Sequence, residues 1–345
     1  MDINIADLVS EFGDFYLGKS NEANMSRLKQ VAYARSFTNK YVFSRKLTDA
    51  TIYRAAESRF RSVLQQFQIA FTPRPGELKF VPITIFLRHM KVDEEISPYE
   101  LMGSWVDFLA TAGPNGSELD PKAFPFIAWF LEMHLFPQLQ QDWELEAVYK
   151  GQYVAPTPGV AGNPAEVIDG IEKIIDDAVI AGRIAPFVMG ATPTGVGANE
   201  QMVEYVYDYC DRYDDIVTHR NKKGATLVCG SKRNARKLQM GLDKVHNSNY
   251  DKVQVPDDIQ TMEGEPIIIK IPLKGNKFFV GLDSMEGKDR LWSSPKINNV
   301  YLEKRGINFE RMHLESDKRF VNGMTDFYRG IGFDIPELVG STDQR

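Results

Sequence analysis

Gln66-Phe67-Gln68-Ile69-Ala70-Phe71-Thr72-Pro73-Arg74-Pro75-Gly76-Glu77-Leu78-Lys79-Phe80-Val81-Pro82-Ile83-Thr84-Ile85-Phe86-Leu87 is the stretch on which the reading of this chain turns. Phe67, Ile69 and Phe71 alternate with Gln66, Gln68 and Ala70, the period of two that marks a half-buried strand. The prolines and glycine of Thr72-Pro73-Arg74-Pro75-Gly76 make a strong turn, and Leu78 to Val92 returns as a long extended run through Ile83, Ile85 and Leu87. The expectation is a long β-hairpin over about 60–92. A hairpin alone is marginal in water, so it needs a partner surface, which another subunit can provide.

Upstream, Ile5, Leu8, Val9, Phe12 and Tyr16 recur at helical spacing over 4–17, and Gly18-Lys19-Ser20-Asn21 breaks the pattern. A second helix is expected over about 22–36. A third is expected after Thr48, with Tyr53, Ala56, Phe60, Val63, Leu64 and Phe67 on one face and Arg54, Glu57 and Arg61 opposite. None leads into a βαβ unit, so residues 1–59 read as an arm. Its charge is uneven. Residues 1–18 hold four acids and no base, whereas 19–61 hold ten bases against three acids, a local balance of +7 in a chain of net charge −6. Arg27, Lys29, Arg35, Lys40, Arg45 and Lys46 carry most of that basic character, suited either to acidic surfaces of neighbouring subunits or to nucleic-acid phosphates.

Downstream, Ser97-Pro98-Tyr99-Glu100 is a capping box with proline at the first helical position, ahead of Leu101, Trp105, Phe108 and Leu109. Asp120-Pro121 opens the longest helical stretch, through Phe126, Ile127, Phe130 and Leu131 to about Lys150, with a kink expected at Pro137. Gln152 to Gly162 is the clearest internal boundary. Asn163-Pro164-Ala165-Glu166 then reads as an N-cap for a helix that runs to Ala181 and ends at Gly182. A helix over about 199–217, a strand at 225–229, a helix over about 231–245 and a hairpin of 267–273 with 277–282 follow. Strands fill the region from about Ile297. The fold class is α+β, without the repeats of a doubly wound enzyme.

The 345 residues are 43% hydrophobic and 26% charged, an ordinary globular composition. The acidic N-terminus shows no secretory pattern, and no apolar run approaches the ~20 residues needed to span a bilayer. The chain reads as soluble and made in the cytoplasm, with no membrane partner. Two cysteines, Cys210 and Cys229, form no Cys-x-x-Cys pair, and five scattered histidines form no metal-binding spacing. Gly190-Ala191-Thr192-Pro193-Thr194-Gly195-Val196-Gly197 has the glycine spacing of a phosphate loop, but Val196 stands where the lysine belongs. Glu204, Asp208, Asp211 and Asp215 line one helix face, more often a solvated stripe than a cation site. No Gly-x-Ser-x-Gly elbow is present. Catalytic, cofactor and metal sites are therefore expected to be absent, with an enzyme site assembled in space as the competing reading.

The order of elements resembles the major capsid proteins of tailed bacteriophages, the Hong Kong 97-type capsid fold. Lys91-Val92-Asp93, Pro98-Tyr99-Glu100-Leu101 with Trp105, Tyr149-Lys150-Gly151 and Asp326-Phe327-Tyr328-Arg329-Gly330-Ile331-Gly332-Phe333 look like capsid proteins of phages infecting gut bacteria. The resemblance implies an N-terminal arm (1–59), an extended-loop hairpin (60–92), a peripheral domain with a spine helix (93–154), an axial domain (155–296) and peripheral return strands (297–345). It implies hexamers and pentamers of the chain closing into an icosahedral shell, with portal and other head proteins and non-specific packaged double-stranded DNA as partners. Localisation would be the virion capsid, after synthesis in the host cytoplasm. Phe67, Ile69, Phe71, Arg74, Glu77 and Lys79 of the hairpin are the expected inter-subunit contacts. An encapsulin-like cargo shell is the alternative within the same fold.

Overall fold

The computed structural model describes residues 8, 10, 15, 37–60, 66, 67, 69, 78–111, 119, 125–216, 225–245, 269–305 and 313–344. A short helix α1 (Phe37–Tyr41) leads into strand β1 (Ser44–Thr48), then β2 (Ile52–Phe60), β3 (Leu78–Phe86) and β4 (Arg88–Ile96). Here the expected helix after Thr48 is corrected. Residues 52–60 are a strand, paired antiparallel with β3 from Ile52 opposite Phe86 to Phe60 opposite Leu78. The helical fit of Tyr53, Ala56 and Phe60 was accidental, because the long-range ladder with β3 decides the local conformation. The hairpin is thus β2 with β3, and Gln66, Phe67 and Ile69, expected in its first strand, lie outside it in irregular backbone. The extended run 78–92 is broken at Leu87, beyond which β4 joins another sheet. The helices expected over 4–17 and 22–36 fall almost wholly outside the described residues.

Helix α2 (Pro98–Thr111) opens on its proline as expected and buries Trp105 and Leu109. The long helix α3 (126–147) starts after Pro125, later than Asp120-Pro121 suggests. It changes pitch twice: Phe130–Leu135 and Trp143–Ala147 are π-helical, with Phe136 N–H donating to Leu131 O and Val148 N–H to Trp143 O. Pro137 has no N–H to give the carbonyl four residues back, and the widened turn before it relieves the ring's crowding of that carbonyl. Asn163 does cap, accepting from Ala165 N–H at 3.0 Å, but only a three-residue 3₁₀ turn. Helix α4 (Ile171–Ile180) begins after Gly170. Its end is as read. Gly182 takes φ +67°, Arg183 N–H bonds Ala178 O at 2.8 Å and Gly182 N–H bonds Val179 O at 2.9 Å, a Schellman motif.

Helix α5 (Ala198–Ile216), strand β5 (Thr226–Ser231), helix α6 (Lys232–Val245) and strands β6 (Ile269–Leu273), β7 (Lys277–Leu282), β8 (Trp292–Pro295), β9 (Asn299–Lys304), β10 (His313–Asp317), β11 (Phe320–Phe333) and β12 (Gly340–Ser341) complete the order. β1, β9, β11, β10 and β4 form a first sheet, labelled peripheral after the expected region that supplies β9, β10 and β11. β11 pairs with β4 over Val321–Arg329 and with β9 over Arg329–Phe333, and β1 runs parallel to β9. One face of this sheet, through Met90, Ile96, Leu314, Val321 and Phe327, meets α2 and α3 in the main core. β12, β8, β5, β7 and β6 form a second sheet, labelled axial after the expected region that supplies β5 to β8, and its central β5 is buried at every position. Its Leu227, Cys229 and Trp292 join that same core, while Val228, Phe279 and Ile271 pack with Met202, Val206, Tyr209 and Leu238 of α5 and α6. The expected peripheral and axial regions therefore share one continuous core.

Burial pushes the Cys210 thiol up from 9.0 to about 12 and the Tyr205 phenol up from 10.0 to about 12. Burial also raises Cys229, Tyr149, Tyr209 and Tyr213. These groups ionise at lower pH in the unfolded chain. Their stabilisation is therefore whole below their ordinary values and is lost as pH climbs toward the folded-state values. The Tm is expected to hold level to about pH 9 and fall steeply between about pH 9 and 12. Calorimetry across that range measures it, and an unchanged Tm near its top would contradict the account.

Candidate assembly interface

Two glycines fix how the hairpin stands on the subunit. Ile83, Ile85 and Leu87 pack on Val300 and Leu302 of β9, with Tyr53, Ala55 and Tyr328 around them. That covers the second face of the peripheral sheet beside β9. The approach is so close that a Cβ on Gly330 would lie 2.8 Å from Phe86 O, and one on Gly332 would lie 2.8 Å from Ile85 Cδ1. Neither glycine was singled out from the sequence for this role. Their signal was the Gly-Ile-Gly spacing inside a strand pattern, which marks a close backbone approach.

The opposite side of the hairpin is open. Ile52 and Phe86 are exposed, and β3 has β2 as its one strand partner among the described residues. Beside β3 lies a groove of about 360 Å³, lined by Pro82, Thr84 and Phe86 of the strand, by Ile174 and Ala178 of α4, and by Ala181 just past the end of that helix. Arg88 closes one end: its guanidinium lies 3.5 Å from the centroid of the Tyr153 ring and 3.8 Å from Asp169 Oδ2. Arg183, whose Nε donates to Glu337 Oε1 at 2.9 Å, also borders it.

Of the expected contact residues, Phe67 and Ile69 are 92% and 97% exposed. Lys79 sits in β3 opposite Arg59. Phe71, Arg74 and Glu77 lie outside the described residues, as do Arg27, Lys29 and Arg35 of the basic stretch. Lys40 lies in α1, with its Nζ over the neighbouring Tyr41 ring at 5.3 Å. Arg45 and Lys46, the last two residues named for the expected basic arm, fall in a strand. Both sit in β1, where Arg45 Nε donates to Glu303 Oε2 at 2.7 Å and Lys46 Nζ to Asp334 Oδ2 at 2.5 Å. The Lys46 ammonium, though burial alone would lower it, is held above its ordinary value by its bonds to Asp334 and Tyr53. These two charges tie β1 to β9 and to the residue that follows β11. The Glu303 side chain is 3% exposed, so its carboxylate depends on the half-exposed Arg45. Arg45→Ala is expected to cost about 2 kcal/mol, because it strands a buried charge. Arg45→Lys should recover part of the loss in urea unfolding. A loss below about 0.5 kcal/mol for Arg45→Ala would mean that water replaces the guanidinium.

The glycine-rich loop 190–197 is tied down. Tyr205 OH donates to Gly190 O at 2.9 Å, Lys237 Nζ to Pro193 O at 2.7 Å, and Thr192 Oγ1 to Asp289 Oδ1 at 2.5 Å. Gly195 and Gly197 take φ of +89° and +79°, turning the chain into α5. On the carboxylate stripe, Asp208 pairs with Arg212. Among the described residues no group of three or more His, Cys, Asp or Glu side chains is placed to hold a metal ion, and no helix is long and apolar enough to cross a membrane.

The whole-chain arrangement has counterparts among solved structures. A chain of the satellite phage P4 procapsid that includes the size determination (Sid) protein is similar over 92% of this chain and 90% of that one, at 9% identity and a TM-score of 0.52. A chain of the capsid of Myoviridae phage XM1 covers 89% and 90%, at 12% identity and a TM-score of 0.48. One from the holo-SrpI encapsulin complex of Synechococcus elongatus PCC 7942 covers 89% and 86%, at 10% identity and 0.47. No family model and no curated protein matches the sequence. The first structure carries the comparison, and at that identity it establishes fold. The fold resembles that of a phage procapsid chain, in keeping with the expected Hong Kong 97-type capsid fold.

Proposed function

We propose that this chain is a major capsid protein that self-assembles, through hexamers and pentamers, into the icosahedral head shell enclosing the double-stranded DNA of a tailed phage. The observation that carries the reading is the likeness to the satellite phage procapsid chain across 92% of this chain. The free edge and exposed outer face of the hairpin agree with it, because an open sheet edge is a template for pairing with another chain. Repeated heterologous contacts of this kind close into rings and, with curvature, into a container. In this reading the chain is made in the host cytoplasm, meets portal and other head proteins during assembly, and ends in the virion. With Arg45 and Lys46 engaged in the peripheral sheet, contact with packaged DNA or with neighbouring subunits falls to Arg27, Lys29, Arg35 and Lys40. Electron microscopy of the purified full chain is the test. Closed shells are the expected result, and nuclease-protected DNA is expected in particles recovered from infected cells. Monomers at every concentration and salt would overturn the reading, and shells holding a folded protein in place of DNA would move it to a cargo container.

A further inference from the structure

One cation fastens the hairpin to the sheet beneath it. Lys46 lies opposite Leu302 in the parallel pairing of β1 with β9, and Leu302 belongs to the apolar seat of the hairpin. Partners across a ladder point to the same face, so the lysine rises from the face that the hairpin covers. Its Nζ donates to Tyr53 OH at 3.0 Å and to Asp334 Oδ2 at 2.5 Å, and stands 5.1 Å from the centroid of the Tyr53 ring. Tyr53 is in β2, opposite Ile85 of β3. Asp334 is fixed to the body, its N–H donating to Asn298 O at 3.0 Å. A single ammonium thus joins β1, the first strand of the hairpin and the residue after β11. The apolar seat beside it is small, and apolar contact has no preferred direction. Hydrogen bonds from a charged donor fix distance and angle, and at 33% and 23% exposure the Lys46 and Asp334 side chains are partly shielded from the water that weakens surface pairs.

We propose that Lys46 is a positioning residue of the assembling element, a clasp that holds β2 at one place on the peripheral sheet and so fixes the angle at which the hairpin presents its outer face. Without it the hairpin lifts as a unit while the main core stays closed, because the seat and the main core are separate clusters. The inference rests on the shell reading for the use made of the hairpin; the clasp itself is a property of the single subunit.

The test uses full-length chains that all carry Val300→Cys. Val300 is fully buried in the seat, and Cys210 and Cys229 are buried in the other two clusters. Thiol labelling at position 300 therefore reads lifting of the hairpin, and labelling of Cys210 and Cys229 reads opening of the body. Lys46→Met keeps the stem and removes the charge, and Tyr53→Phe removes one hydroxyl. Each should speed labelling at position 300 about tenfold with the native cysteines unchanged, and Lys46→Arg should restore most of the protection. Since the two side chains share one bond, Lys46→Met combined with Tyr53→Phe should label no faster than Lys46→Met alone. Particle yield should fall with Lys46→Met and recover with Lys46→Arg. Should Lys46→Met fail to fold, Tyr53→Phe decides the matter by labelling. Unchanged labelling in Tyr53→Phe, effects that multiply in the double variant, equal acceleration at the native cysteines, or ordinary particle yield from Lys46→Met would each overturn the clasp and leave the shell reading standing. Failure of the unsubstituted chain to form particles would remove the shell reading, with the clasp still judged by labelling of the subunit.

Discussion

Gly330→Val is expected to abolish particle formation while leaving the subunit folded. A Cβ at this position lies 2.8 Å from Phe86 O, with Leu87 Cα and Cγ next at 3.4 Å. The first contact is backbone, so relief requires moving β3 and not merely turning a side chain. Two effects compete when the gentler Gly330→Ala is made. Lower entropy in the unfolded chain favours alanine by about 0.4–1 kcal/mol, since Gly330 is not among the positive-φ glycines. Overpacking costs about 1–3 kcal/mol and wins. Valine adds two methyl groups to the same clash. The hairpin should yield before the core does, because its attachment is the small cluster around Ile85, Val300 and Leu302, separate from the main core. Gly332→Ala should be milder, since its clash is with the flexible end of Ile85 at Cδ1. Two measurements decide it: particle yield, and limited proteolysis of the hairpin, which should speed up at least about tenfold while the main unfolding transition survives. Ordinary particle yield from Gly330→Val would sink the argument that this seat fixes the assembling element.

The hairpin also shows what a sequence can and cannot reveal. The returning strand was legible because Ile83 and Ile85 alternate with Thr84 and Phe86, and because Pro82 fits an edge. Its partner was not. Tyr53, Ala56 and Phe60 satisfy a helical period, and the ladder that overrides it joins residues 18 positions apart at the mouth of the loop, Phe60 opposite Leu78, and 34 apart at its far end, Ile52 opposite Phe86. Such pairing has no local signal. Phe67 and Ile69 were read as strand on a real alternation, and the structure leaves them outside the ladder of β2 with β3. Strands were expected from about Ile297, and the first part of β11 shows why: Val321 and Phe327 are buried and alternate with half-buried Asn322, Asp326 and Tyr328. The π turns of α3 were not, because a sequence lists apolar residues at helical spacing without fixing which carbonyl each N–H will choose. For the candidate interface, residue types pointed to residues 67–79 around the turn of the expected hairpin. The glycine seat and the groove depend on crossings between distant segments, and only the folded chain brings these together.

Trp292→Ala is expected to cost the subunit about 3–5 kcal/mol, a large share of the 5–15 kcal/mol that holds a typical fold together. Trp292 is fully buried. Its strand β8 places it opposite Cys229 on one side and Ser341 on the other. Its ring meets Phe333 edge-on, with centroids 5.8 Å apart. That contact joins the axial sheet to the last residue of β11 in the peripheral sheet, so the cavity would open where the two sheets share their core. The surrounding strands are buried and hydrogen-bonded, which limits collapse into the void. At about 2–4 °C per kcal/mol for chains of 150–250 residues, and less for a longer one, the Tm should fall by roughly 10 °C. Trp292→Phe keeps an apolar ring in place and loses an indole N–H for which no hydrogen-bond partner is found among the described residues, so it should retain most of the stability. Because one core serves both sheets, unfolding of the Trp292→Ala chain should remain a single transition by fluorescence and circular dichroism. Two separated transitions would show that the axial region unfolds by itself, and a loss under about 1 kcal/mol would show that the site repacks.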